Sequence, residues 1–314
     1  MASPSVVVPS YRPRYFAYAQ LVRLPNVFTA VSNICLGAVA TSAFPRYWLP
    51  FVCVIFGSAC LYGAGMVWND YFDFEQDKKE RPFRPLPSGR IARSRAAGLG
   101  TLLLALGITF VAVADWRAEG LRWFSLQLGL LLAAAILLYD AWWKRTWMGP
   151  IGMGACRFLN ILLGLSIASE RVPFWGFLVA LVVGTYVAGV TWFARTEARE
   201  SNQNMLRAAA GLMALGLALS LFVPPLYGEN GAAARTFILF PYLLVAFGVH
   251  VGISVARAIR NPVPSKVQQA VKTAVLGLIV LDALLASALA GPVGLLIVLL
   301  IIPARLAGRW IYST

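Results

Sequence analysis

Nine stretches of about twenty apolar residues recur along this 314-residue chain, each bounded by charge or by proline and glycine. A helix needs about that length to cross hydrocarbon, and lipid cannot satisfy the edges of an open sheet. The runs are too long for barrel strands, so the spacing predicts an all-α polytopic membrane protein. The expected spans cover residues 19–43, 48–67, 96–114, 121–139, 149–168, 174–193, 206–226, 237–255 and 271–290. Residues 293–302 are apolar but short and bracketed by Pro292 and Pro303, which reads as a re-entrant or interfacial segment. Residues 1–314 form one domain, with a short tail at 1–14 and a polar loop at 68–95. The tail lacks the apolar core of a signal peptide, so the first span is expected to stay as a signal anchor.

Composition excludes an ordinary soluble domain: 59% of residues are apolar, 13% are charged, and the mean hydropathy is +0.72. The formal charge of +14 is placed as a membrane protein places it. Twenty of the 27 Lys and Arg fall in the tail and in alternate loops, five in the opposite loops, and Arg305 and Arg309 in the C-terminal tail. The N-terminus and the 68–95 loop are therefore expected in the cytoplasm, in a bacterial inner membrane. No basic stripe is interleaved with stacking aromatics, so nucleic acid is not an expected partner. Cys35, Cys53, Cys60 and Cys156 lie inside spans without short spacing and read as inert packing residues. His250 reads as a packed, hydrogen-bonded residue, since one histidine builds no His-rich metal site.

The chemistry concentrates at three span ends. On a continuous helix, at about 100° per residue, Asp70, Asp73 and Asp77 fall within roughly a 60° sector, with Asn69 at its margin. Such a face suits Mg²⁺, which favours oxygen ligands and is often held by one or two carboxylates with substrate phosphates. The alternative is a solvated acidic helix end answered by Lys78, Lys79 and Arg81. Pro82, Pro85, Pro87 and Ser88-Gly89 force a bend that brings Arg81, Arg84 and Arg90 back as a lid, although ordinary cytoplasmic anchoring explains such cations too. At the second place, Tyr139, Asp140, Lys144, Arg157 and Asn160 accompany Gly149, Gly152 and Gly154, which also read as close helix packing. At the third, Arg195 and Glu197 form either an ion pair or part of a second metal or acceptor site. Asp282 is an intramembrane carboxylate whose partner the spacing does not reveal.

These residues resemble a known pattern. Asn69-Asp70-x-x-Asp73-x-x-x-Asp77 followed by Arg81-Pro-Phe-Arg84-Pro-Leu-Pro-Ser88-Gly89-Arg90 is similar to the first aspartate-rich motif and lid of the UbiA superfamily of intramembrane prenyltransferases. Arg23-Leu-Pro-Asn26, Tyr139-Asp140 with Lys144, the run from Gly149 to Asn160, and Arg195-Thr196-Glu197 extend the likeness, most closely to the EboC-like branch. The resemblance implies about nine helices around a cavity. It also implies Mg²⁺ held by Asn69, Asp70, Asp73, Asp77 and Glu197, and an isoprenyl diphosphate touched by Arg84 and Lys144. Asp70, Asp73, Asp77 and Lys144 take the catalytic roles. Arg81, Arg90, Tyr139, Asp140, Arg157, Asn160, Asn26, Arg195 and Glu197 surround the substrates, with Phe72, Tyr139 and Trp192 as candidate aromatic faces. The second family motif, DxxxD, appears here only as Glu197-Ala-Arg-Glu200-Ser201. The implied reaction ionises an allylic diphosphate and passes its prenyl group to a small acceptor, aromatic or a polar cyclic alcohol. A non-catalytic carrier of phosphorylated isoprenoids would use the same cations, whereas the DG-x-x-AR pattern of phosphatidyl-group transferases is absent.

Overall fold

A computed structural model describes residues 14–117, 120–195, 201–228 and 238–311. Helix α1 (Arg14–Leu21) meets α2 (Leu24–Ala40) at a 44° bend, where Arg23 adopts φ 49° and Pro25 starts the new helix. Then follow α3 (Trp48–Phe72), α4 (Phe74–Glu80) and α5 (Arg93–Asp115). A two-residue antiparallel ladder, β1 (Trp116–Arg117) with β2 (Gly120–Leu121), leads to α6 (Phe124–Ala141). A single 3-10 turn at Trp143–Arg145 joins it to α7 (Gly149–Leu165). The rest comprises α8 (Phe174–Ala194), α9 (Gln203–Ser220), α10 (Val223–Gly228), α11 (Phe240–Arg260) and α12 (Pro264–Ala290). A 3-10 segment, Gly291–Leu300, and α13 (Ile301–Trp310) complete it.

The nine expected spans all fall on helices, so the architecture is the all-helical membrane bundle that the apolar runs predict. Among the described residues, seven helices are long and apolar enough to cross a membrane, and the bent α1–α2 pair makes eight. Helix α7, at 17 residues, is shorter. The outer surface of the bundle is apolar, with Leu131, Phe174, Val245 and Leu296 all more than 45% exposed. Between helices, where lipid offers no hydrophobic gain, small residues allow close contact. A Cβ on Gly37 would lie 2.4 Å from the Gly164 carbonyl carbon, and one on Gly154 would lie 2.6 Å from the Gly184 oxygen. Gly152 likewise seats the Trp143 ring, so the glycines of α7 are packing residues. The four cysteines are free, two of them buried, as expected. His250 is not packed: it stands exposed on the outward face of α11 beside Val249.

The C-terminal segment departs from its expected role. The chain reverses at Gly291 (φ 77°), and Gly294 packs so closely on α12 that a Cβ there would overlap the Ser287 nitrogen. The 3-10 stretch runs back along α12 and α2, and α13 continues beside α2 until Gly308 lies against Pro25. A 3-10 rise of about 2 Å per residue, then an α-helical rise of 1.5 Å, carries these residues about 35 Å. That is a full return crossing, longer than the apolar run suggests because the 3-10 conformation stretches it. A reporter fused after residue 311 is therefore expected on the same membrane side as one inserted at Ser88, and opposite sides would contradict the return.

Candidate active site

Helix α3 carries Asn69 and Asp70 on its last turn and ends at Phe72. Asp73 is the junction to α4, and its φ of −90° and ψ of 6° break the helix. The three aspartates therefore do not share one continuous face. Asp70 and Asp77 are buried, 4% and 3% exposed, and converge on one guanidinium: Arg84 Nη1 lies 2.7 Å from Asp77 Oδ2 and 3.3 Å from Asp70 Oδ1. Arg23 Nη2 reaches the same Asp70 oxygen at 3.3 Å. Asp73 turns instead to Lys144, whose Nζ lies 2.8 Å from Oδ2 and also donates to the Asn69 carbonyl at 3.2 Å. Arg145 stands 3.8 Å from the other Asp73 oxygen and donates to the Phe72 carbonyl.

The proline-rich loop holds Arg84 inward by burying its own apolar residues. Leu86 and Ile91 insert among Ala17, Leu21, Val67 and Ala96, while Ser88 and Gly89 turn the chain with backbone bonds to Arg84 and Leu86. Arg84 is thus the lid residue that enters the site, with half-buried Arg81 close enough to repel it. Arg90 does not cover the carboxylates. It is exposed and braces the loop by donating to Gln20 Oε1, the Phe83 carbonyl and Ser88 Oγ. Burial pushes the Asp77 carboxyl above the usual range, Arg84 pulls it back, and Asp70 and Asp73 add to the rise. Burial, reinforced by Arg23, lowers the Arg84 guanidinium, against the pull of Asp70 and Asp77.

Beneath this cluster lies a pocket, about 460 Å³ counting the space at its open mouth, between α2, α3, α6 and α7, walled by Leu132, Ile136, Met66 and Met153. Its polar lining is Ser58, Tyr62, Tyr139, Asp140, Arg157 and Asn160. Asp140 is 1% exposed and accepts from Asn69 Nδ2 at 3.1 Å, which ties the cavity to the aspartate-bearing helix end. Of the expected aromatic faces, Tyr139 lines the cavity. Phe72 stacks on Trp68, and Trp192 is not in the lining. Asn26 sits half-buried at the start of α2, outside the lining. Arg195 is exposed and donates to the Thr146 carbonyl, tying α8 to the α6–α7 connection rather than entering the site. Glu197 lies outside the described residues.

Arg23, Arg145, Thr29, Asn33 and Ser58 join the site or its support without having been assigned from sequence. Arg23 carried a signal through Arg23-Leu-Pro-Asn26, and Arg145 through its place beside Lys144. The donor set fits a hard divalent cation, because Asp70 and Asp77 already share a cation, the guanidinium of Arg84. Among the described residues no three carboxylate, histidine or cysteine side chains form a closed cage. Two carboxylates completed by water and phosphate is an arrangement that Mg²⁺ favours.

Residues 30–271 match the model of the UbiA prenyltransferase family. The chain belongs to that family. It is 34% identical over 194 residues to a digeranylgeranylglyceryl phosphate synthase of Methanothermobacter thermautotrophicus, covering 60% of each chain. It therefore spans less than two thirds of that relative. A digeranylgeranylglyceryl phosphate synthase of Ignicoccus hospitalis is 30% identical over 286 residues, 84% of this chain and 89% of its own. Among solved structures, a UbiA homolog from Archaeoglobus fulgidus bound to GPP and Mg²⁺ superposes with a TM-score of 0.57 at 16% identity, over 83% of this chain and 99% of that one.

Removing the guanidinium from the two buried carboxylates should be severe. Arg84→Ala is expected to lose about 3–5 kcal/mol at neutral pH, as when one partner of a buried pair is deleted. Because the folded Asp77 carboxyl titrates above its unfolded value, its stabilising contribution is complete at low pH and is lost as pH rises through the folded value. Thermal unfolding of the variant should thus recover towards wild type between about pH 7 and pH 4. A pH-independent deficit would contradict the electrostatic assignment.

Proposed function

We propose that this protein transfers an isoprenyl group from its diphosphate to a hydroxyl-bearing acceptor inside the membrane. The observation that carries the reading is the joining of two surfaces. A cluster of carboxylates and cations, with Asp70, Asp77 and Arg84 buried and Arg23, Asp73 and Lys144 half-buried, stands at the mouth of a largely apolar cavity. A carrier of phosphorylated isoprenoids would need the cations and the cavity, but not buried aspartates beside them.

Asp70 and Asp77, with Asp73 and Asn69 beside them, would hold Mg²⁺, which when bound supplies positive charge to the leaving diphosphate. Release of Arg84 from the carboxylates frees its planar donors for phosphate oxygens, and Lys144 and Arg23 present further preorganised charge. The allylic C–O bond breaks and its electron pair leaves with the diphosphate. The face of Tyr139, beside Asp140 in the cavity lining, would meet the prenyl carbon as it becomes cationic. The acceptor oxygen then bonds to that carbon, and Asp140, with one oxygen engaged by Asn69, takes its proton on the other. Apolar walls keep water from capturing the cation.

The named relatives support an acceptor that is a phosphate-bearing glyceryl lipid, in place of an aromatic or cyclic alcohol. Placement in the EboC-like branch has only sequence motifs in its favour: Arg23-Leu-Pro-Asn26, the run from Tyr139 to Asn160, and Arg195-Thr196-Glu197. The loop charges support a cytoplasmic N-terminus and cytoplasmic site loops. The relatives named above are archaeal, and a prokaryotic cytoplasmic membrane accommodates both them and a bacterial inner membrane.

In proteoliposomes supplied with geranyl diphosphate and Mg²⁺, Asp70→Ala or Asp73→Ala is expected to reduce diphosphate release at least about 100-fold in folded protein. Normal turnover in either variant rejects their role. Lys144→Ala should weaken geranyl diphosphate binding by about tenfold, roughly 1.4 kcal/mol, and leave binding of a monoalkyl glyceryl phosphate unchanged. Titrating each ligand separately would expose the reverse ranking.

A further inference from the structure

An ionised group at membrane depth is costly and tends to be retained for a function. Asp282 lies in the middle of α12, fully buried, and has no cationic partner in contact among the described residues. Its Oδ2 accepts from Asn33 Nδ2 at 2.7 Å and from Ser32 Oγ, whereas Oδ1 has no hydrogen-bond partner. Packing alone does not account for a carboxylate here, since an apolar side chain would leave no orphaned oxygen.

The contact with Asn33 leads to the cavity. The Asn33 Oδ1 accepts from Arg157 Nη1 and from Asn160 Nδ2, both at 3.3 Å. With its amide turned over, Asn33 would oppose donor to donor at Arg157 and oxygen to oxygen at Asp282. The carboxylate therefore selects the one orientation that holds both cavity residues. Asn160 is completed by the Ala30 carbonyl and by Ser58 Oγ, and Arg157 by Thr29 Oγ1 at 2.8 Å and the Tyr62 ring. Arg157 is 8% exposed, lines the cavity, and has no carboxylate partner among the described residues. Two of its five N–H groups are engaged by these bonds. Tyr62, on which it rests, precedes Asp70 on α3 by about 12 Å of helix, which sets Arg157 apart from the diphosphate end.

We propose that Asp282 is a positioning residue of the cavity: by fixing the Asn33 amide it aims Arg157 and Asn160, so that Arg157 takes the anionic group of the acceptor. This rests on the phosphate-bearing acceptor proposed above. The ligand's anion supplies the counter-charge that the protein leaves out of contact with Arg157.

The test is direct binding to the full-length protein in nanodiscs, read without turnover. The probes are a monoalkyl glyceryl phosphate, the matching neutral monoalkylglycerol, and geranyl diphosphate with Mg²⁺. Asp282→Leu and Asn33→Leu should each weaken the glyceryl phosphate at least about tenfold, and their combination should add little, as expected of one relay. Asp282→Asn, which keeps an acceptor oxygen, should lose less. Ser32→Ala, which spares the Asn33 bridge, should stay within about twofold of wild type, as should geranyl diphosphate and the neutral lipid in every variant. An equal loss for both anionic ligands, a loss confined to geranyl diphosphate, or no loss in folded Asp282→Leu overturns the proposal. Should Asp282→Leu fail to fold, unchanged glyceryl phosphate binding in Asp282→Asn and Asn33→Leu overturns it equally. A wild-type protein that binds both anionic probes yet forms no product refutes the transfer reaction while leaving this result standing.

Discussion

The guanidinium of Arg84, clamped between the buried carboxylates of Asp70 and Asp77, is the interaction on which the site depends. It explains how two acidic groups can be 4% and 3% exposed at the end of a membrane helix without expelling each other. It also explains the proline-rich loop, whose Leu86 and Ile91 are buried so that Arg84 cannot drift away. A buried ion pair is weak evidence of net stabilisation, but removing one partner is expensive. The arrangement thus resists loss of its cation and accepts exchange for another. A divalent ion that takes the carboxylates releases a guanidinium at the place where a diphosphate needs donors.

The bundle was legible because hydrocarbon thickness imposes a length on apolar runs, and residues 48–67 or 174–193 satisfy it without tertiary help. Two features escaped for physical reasons. The segment from Gly291 to Leu300 is too short for an α-helical crossing, but as a 3-10 helix it rises further per residue, and Gly294 lets it lie against α12. The aspartate face, drawn on an unbroken helix, is divided at Asp73, where α3 gives way to α4; one carboxylate therefore turns to Lys144 while two turn to Arg84. Arg90 and Arg195 were placed near the substrates by their neighbours in sequence, but hydrogen bonds to Gln20 and Thr146 commit them to bracing.

Partnerships across long sequence separations were invisible before the fold. Asp282 meets Ser32 and Asn33 some 250 residues away, and Asn33 in turn meets Arg157 and Asn160. Family resemblance marked Arg157 and Asn160 as a motif, but only the packing of α2 against both α7 and α12 shows what stands behind them. The polar interior thereby divides into a shallow cluster at the aspartate-bearing helix end and a deeper one around Arg157. Two anionic groups, about two helical turns apart, match that division better than one.

The central claim is that the Asp70 carboxylate holds a divalent cation against a diphosphate. Substituting Mn²⁺ for Mg²⁺ and recording its electron–nuclear double resonance with geranyl diphosphate bound tests it directly. The account predicts phosphorus hyperfine coupling to a bound Mn²⁺ in the wild type, and loss of that signal in Asp70→Ala. Coupling that survives unchanged in the variant would contradict it.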